Sequence, residues 1–275
     1  MRGRSGKRLQ RGVVSLLIAF FLASCVALYL LAEAAVATRT ALQRADAARA
    51  AYLADAGRRI ADWYRGNATT LDAAAGQVPD EAAMLRAAGV TPKWGVRAAV
   101  GPLLDGPDGR YRRIALWLPT KPGGGLPAGN DGAFDETSAT HRVVVDGRLI
   151  EGELRARTLE TMRRFARALE SRASARMLQD SDHRVDVNHF RPRDPACVAS
   201  DDEIPCLDGY VDATRIDWGR LVGVAPGELH TAWGGPIQVS NRTDASVDRP
   251  PFSFALLAKT PWGGTIRLAA IQALE

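Results

Sequence analysis

Residues 13–32, VVSLLIAFFLASCVALYLLA, run for 20 positions without a charged side chain. No other feature constrains the chain as tightly. At about 1.5 Å of rise per residue the stretch would span roughly 30 Å as a helix, the thickness of a bilayer's hydrocarbon core. The apolar part of a secretory signal is usually only about 7–15 residues and gives way quickly to polar sequence. Leu22-Ala23-Ser24-Cys25 also spells a lipobox, in which Cys25 would be acylated and become the mature N-terminus. A lipoprotein is expected to turn polar soon after that cysteine, whereas this chain continues with VALYLLA. Length therefore favours a retained membrane helix over a cleaved signal or a lipid anchor. Arg2, Arg4, Lys7, Arg8 and Arg11 precede the span with no acidic residue among them. Positive charge of this kind keeps the short N-terminus cytoplasmic and places the remaining residues outside.

The helical pattern does not stop with the apolar run. From Glu33 to about Arg65 there is no proline, and apolar side chains recur at Leu42, Ala45, Tyr52, Leu53, Ala56, Ile60 and Trp63. That spacing of three and four is helical. Arg39, Arg44, Asp46, Arg49, Asp55, Arg58 and Asp62 stand between them. The spacing predicts one continuous helix of about 50 residues, apolar all round in its upper half and amphipathic below, ending near Gly66.

Charge bears on partners. The net charge of +5 is matched by the five basic residues ahead of the span. The remainder is nearly balanced, which argues against a nucleic-acid-binding surface. Of the three cysteines, Cys25 lies in the apolar run, while Cys197 and Cys206 bracket CVASDDEIPC. In an exported region that pair reads most simply as a disulfide.

Arg11-Gly12, followed by an apolar span that leads into a long amphipathic helix, resembles the N-terminus of type IV pilins and pseudopilins. The resemblance implies cleavage after Gly12 by a prepilin peptidase, a mature start at Val13, and packing of the N-terminal helix against other pilin subunits on an inner-membrane assembly platform. Members usually carry glutamate at the fifth mature position. This chain has Leu17 there, a departure shared by minor subunits such as the largest minor pseudopilin of type II secretion. That carboxylate is thought to pair with a neighbour's N-terminal amine, since a charge in an apolar setting is costly unless matched. WYRGNATTLDAAAGQVPDEAAMLRAAGVTPKWG (63–95) is similar to the stretch after the long helix in type IVb minor pilins of the shufflon type.

Read physically, Pro79-Asp80-Glu81 opens a short helix with negative charge at its N-terminus. Met84, Leu85 and Ala88 give it an apolar face, and Gly89 and Pro92 end it. VRAAVGPLLDGPDGRYRRIALWLP predicts two strands around DGPDG, and KPGGGLPAGNDG (121–132) a flexible surface loop. HRVVVDGRLIEGEL predicts a short strand pair on Asp146-Gly147, and the residues after it a second long amphipathic helix. TAWGGPIQV (231–239) and TPWGGTIRL (260–268) agree at five of nine positions, 29 residues apart. Two copies are too few for a solenoid. Trp233-Gly234-Gly235 and Trp262-Gly263-Gly264 each predict a turn entering a strand, with PPFSFALLAK as a further strand between them. These turns resemble the one that opens the sheet in type IVb pilins.

No G-x-S-x-G, G-x-x-x-x-G-K-[ST] or H-E-x-x-H occurs, so no enzyme is expected. Asp180, Asp182, His183, Asp186 and His189 gather in one polar stretch, but their spacing fits no standard metal site. Asp201, Asp202 and Glu203 lack the further oxygens that a Ca²⁺ site needs. His141 and His230 read as surface or turn residues. No metal and no cofactor are expected.

The expected layout is a basic leader (1–12), a pilin-type helix (13–66), an α/β segment with hairpins (67–150), a second helix and polar loop (151–194), and a β-rich disulfide-containing region (195–275). The fold class is α+β, a long N-terminal helix with small antiparallel sheets and a second amphipathic helix. The expected role is a structural, low-copy subunit of a type IV pilus or related filament, at or near its tip, contributing to assembly and to surface adhesion or conjugative contact. It would be held in the inner membrane as a precursor, with most of the chain periplasmic, and become extracellular after assembly, where a cell-surface receptor is a further partner. The alternative is a membrane-anchored or Cys25-lipidated envelope protein that does not polymerise.

Overall fold

Helix α1 runs unbroken from Gly6 to Leu71, 66 residues, in a computed structural model of the chain. Alanine, leucine and arginine dominate it and proline is missing, so intrinsic preference and pattern agree along its length. It continues one turn past Gly66, as Asn67 bonds back to the carbonyl of Trp63. The structure describes residues 6–73, 76–119, 134, 139–193, 196–242 and 249–273. The loop expected at 121–132 lies outside them.

The chain divides into two compact units, Met1–Ala54 and Asp55–Glu275. The first consists, among its described residues, of helix alone. From Leu16 to Val36 its apolar side chains are exposed, while further along the helix Asp46 pairs with Arg49 one turn on.

The second unit has α+β architecture. Its part of α1 buries Ala56, Ile60, Tyr64, Ala68 and Leu71, a stripe at spacings of three and four. On the opposite face Asp55 pairs with Arg58 and Arg59, and Asp62 with Arg65. Helix α2 (Glu81–Ala87) starts where its sequence signal stood. The Asp80 side chain accepts from the backbone N–H groups of Ala82 and Ala83, and Met84 and Leu85 face inward.

The segment expected as two strands around DGPDG holds four. Strands β2 (Leu104–Gly106) and β3 (Gly109–Tyr111) form a small hairpin on that turn. Outside it, β1 (Arg97–Val100) pairs with β4 (Arg113–Pro119) in a second, nested antiparallel ladder. The break comes at Gly101-Pro102, where proline has no N–H to continue the ladder. Strand β5 (Ala139–Asp146) pairs with the other edge of β4, giving the order β1-β4-β5. Ile114, Leu116 and Val143 share the face toward α1. There the absence of a side chain at Gly57 admits Val143, whose Cγ1 would lie 2.7 Å from a Cβ at that position. Ala115 and Trp117 share the other face with Phe134 and Ala99.

The strand pair expected on Asp146-Gly147 does not form. Asp146 instead caps helix α3 (Gly147–Gln179), its carboxylate accepting from the Arg148 N–H. Asp-Gly suits either a tight hairpin or a helix start. The long stripe of Ile150, Leu154, Thr158, Met162, Phe165, Leu169 and Ala173 decides for the helix, because only that period buries all of them on one face. A four-stranded antiparallel sheet follows in chain order: β6 (Val211–Asp212), β7 (Gln238–Ser240), β8 (Ser253–Lys259) and β9 (Thr265–Ile271). Phe165 of α3, Trp218 of the short helix α4 (Trp218–Val222) and Phe254 of β8 meet edge to face beneath this sheet, with ring centroids 5.0 and 5.9 Å apart.

Candidate functional site

The apolar length of α1 is the first candidate. Leu16, Leu17, Phe20 and Phe21 are each more than 60% exposed, as are Leu28, Tyr29 and Leu31. Four consecutive turns that show hydrocarbon on every side form a surface that water does not support, and α1 is long and apolar enough to cross a membrane. Leu17 stands in this surface as one more hydrocarbon side chain, with no carboxylate in the described turns around it. Gly12 and Val13 belong to α1. Cys25 sits in the middle of the same stretch, unpaired and exposed.

The second unit brings the two sequence repeats together. In each, a glycine N–H donates back to the threonine carbonyl, Gly234 to Thr231 and Gly263 to Thr260. The threonine N–H then donates to the following glycine, Thr231 to Gly235 and Thr260 to Gly264. Gly234 and Gly263 have φ of 84° and 86°, a region where a side chain is strained, so the glycine of the motif is required by the turn. The turns lead into β7 and β9, and their tryptophans meet edge to face with ring centroids 5.6 Å apart. Trp262 also packs against Gly109 at the start of β3, where a Cβ would come within 2.1 Å of the indole. Beside it, Arg155, Asp108, Thr260 and Ile266 line a surface cleft of about 230 Å³.

Trp233 leads to a buried polar cluster that the residue pattern had not flagged. Its indole Nε1–H donates to Glu151 Oε2 at 2.8 Å. Glu151 faces Asp72, and the Tyr64 hydroxyl lies 2.9 and 2.8 Å from the two Asp72 oxygens. The same hydroxyl accepts from the Arg112 N–H at 2.8 Å. Tyr64, Asp72 and Glu151 are each no more than 1% exposed. Burial, then the neighbouring carboxyl, pushes Glu151 up to about 8. Burial also raises Asp72, and burial together with the Asp72 charge raises Tyr64. A carboxylate on the inward stripe of α3, between Ile150 and Leu154, was the signal that could have found it.

Cys197 and Cys206 form a disulfide. Within the loop they close, Glu203 pairs with Arg176 of α3 and accepts from the N–H groups of Ser200 and Arg193, so its oxygens are taken up by protein donors. The polar stretch after α3 is likewise dispersed. Asp180 pairs with Arg184, His183 reaches the carbonyl of Met177, and buried His189 binds the Arg184 carbonyl through its ring and Gln272 through its N–H. No three His, Cys, Asp or Glu side chains converge as a metal cluster among the described residues. His141 lies on β5 opposite Leu118, and His230 bonds the carbonyl of Gly227 in a turn. Comparison with known protein families, curated proteins and solved structures gives no match to this chain.

Proposed function

We propose that this protein is a low-copy, structural subunit of a type IV pilus or related filament, cut after Gly12 and held by α1 among the helices of neighbouring subunits. The observation that carries this reading is the continuity of α1, whose apolar turns run without a break into the stripe that the second unit buries. A helix that merely anchored a domain has no need to stay helical beyond the bilayer. One that packs side by side with its own kind does, because every turn adds contact. Before assembly the apolar turns rest in the inner membrane, with the disulfide-bearing unit in the oxidising periplasm.

Leu17 argues for low copy number. Without a carboxylate there, a stack made only of this chain leaves each mature amine unmatched in an apolar core. A position at or near the tip, where few such amines arise, fits that chemistry and leaves the second unit free to touch another surface.

The intact mass and N-terminal sequence of the mature protein test this reading. A start at Val13, abolished in Gly12→Val while membrane insertion persists, is the expected result. Normal maturation of the variant, an N-terminus upstream of Gly12, or an acylated Cys25 would overturn it in favour of a non-polymerising envelope protein.

A further inference from the structure

The cluster around Asp72 sets a problem in hydrogen-bond accounting. The Arg112 N–H donates to Tyr64 Oη, and Tyr64 O–H donates to Asp72. At the other end the Trp233 Nε1–H donates to Glu151 Oε2. Glu151 Oε1 is buried and meets no donor among the described residues, and the Glu151 carboxyl stands beside that of Asp72. The nearest cation does not resolve this. Three N–H groups of the Arg112 guanidinium go to the backbone carbonyls of Leu71, Gly101 and Gly76, and its charge acts on Asp72 through space. Two ionised carboxylates side by side, out of water and without a hydrogen-bonded cation, would carry a desolvation cost that the Arg112 charge offsets only in part. One proton removes the conflict. Placed on Glu151, it donates to Asp72 and leaves every polar group of this cluster with a partner.

We propose that Asp72 and Glu151 share a single proton in the folded protein, and that this proton latches the end of α1, the β3–β4 junction, the start of α3 and the first Trp-Gly-Gly turn to one another. The titratable and charged groups facing it are Tyr64 and Asp72 from α1 and its end, Arg112 from the β3–β4 junction, and Glu151 from α3; Trp233 from the turn does not titrate. In the unfolded chain Glu151 ionises near 4.5, and in the fold near 8. A folded value raised above the unfolded one gives stability that is fully present below about pH 4.5 and is lost progressively as pH rises to about 8. This carboxyl pair therefore contributes more to stability near pH 5 than in mildly alkaline surroundings.

The test uses the full chain in detergent micelles, with urea unfolding of the second unit followed by tryptophan fluorescence from pH 5 to 9. The folding constant of the wild type relative to Glu151→Gln should fall by up to about tenfold per pH unit between pH 5 and 8, then level off. The infrared C=O stretch of a protonated carboxyl should be present near pH 6.5 and vanish in the variant. Asp72→Asn gives Glu151 an amide donor in place of an acid, so it too should abolish both signals; it serves if the first variant does not fold. Parallel stability curves for wild type and variant, or a wild type with no protonated-carboxyl band, would overturn the proposal.

Discussion

Gly147 is the residue on which the junction of α1 and α3 turns, and replacing it by alanine gives a sharp test of that packing. A Cβ at this position would lie 2.3 Å from Tyr64 Oη, 2.6 Å from Tyr64 Cζ and 2.4 Å from the Arg112 carbonyl oxygen. The same glycine donates its N–H to that carbonyl at 3.0 Å, so the backbone cannot simply back away. Either Tyr64 leaves the Asp72 oxygens or the first turn of α3 lifts from the β3–β4 junction. Overpacking of this kind costs about 1–3 kcal/mol. Loss of the hydroxyl–carboxylate bond adds about 1.5–3 kcal/mol. Against these stands the helix preference of alanine over glycine, at most about 1 kcal/mol. The expected net loss is about 3 kcal/mol, or a fall in Tm of about 6–12 °C for a unit of this size. Gly152 in the same helix is the control. Its Cβ would meet nothing nearer than Asp108 Oδ2 at 3.7 Å, so Gly152→Ala should stabilise by about 0.5–1 kcal/mol. Thermal unfolding of both variants in micelles, read by tryptophan fluorescence, decides the matter. If Gly147→Ala comes within about 0.5 kcal/mol of the wild type, the close approach of Tyr64 to α3 is wrong.

Two further outcomes follow from other parts of the molecule. The Cys197–Cys206 disulfide closes a loop with a sequence separation of 9, so its removal by paired serine substitution should cost about 2–3 kcal/mol in urea unfolding; alkylation of both thiols without reductant, in protein taken from the envelope, would show that the bond is not formed in the cell. Immunogold labelling of the second unit on intact filaments should mark ends, and regular labelling along the shaft in amounts equal to the major subunit would refute the low-copy, tip position.

Features that depend on neighbours along the chain were legible in advance. The membrane-length apolar run, the continuous helix, the acidic start of α2, the glycine turns before β7 and β9 and the cysteine pairing each rest on one uninterrupted stretch of sequence. Their physics of bilayer thickness, helical period and left-handed φ is local. Asp146-Gly147 shows where local reading ends. The dipeptide is compatible with a hairpin and with a helix start, and the choice fell to the inward stripe of α3 and to the space beneath Tyr64. The nested ladders of β1–β4 likewise depended on which strand the proline break would hand to which partner. Asp72 and Glu151 lay beyond such reasoning. Along the chain Asp72 is an ordinary acidic residue among others, and for Glu151 only its place on the inward stripe of α3 hints that it is buried. Their chemistry arises because the Arg112–Tyr64 and Trp233–Glu151 bonds, across 48 and 82 positions of sequence, close around them. Desolvation is a property of the space a side chain occupies, and only the folded chain defines that space.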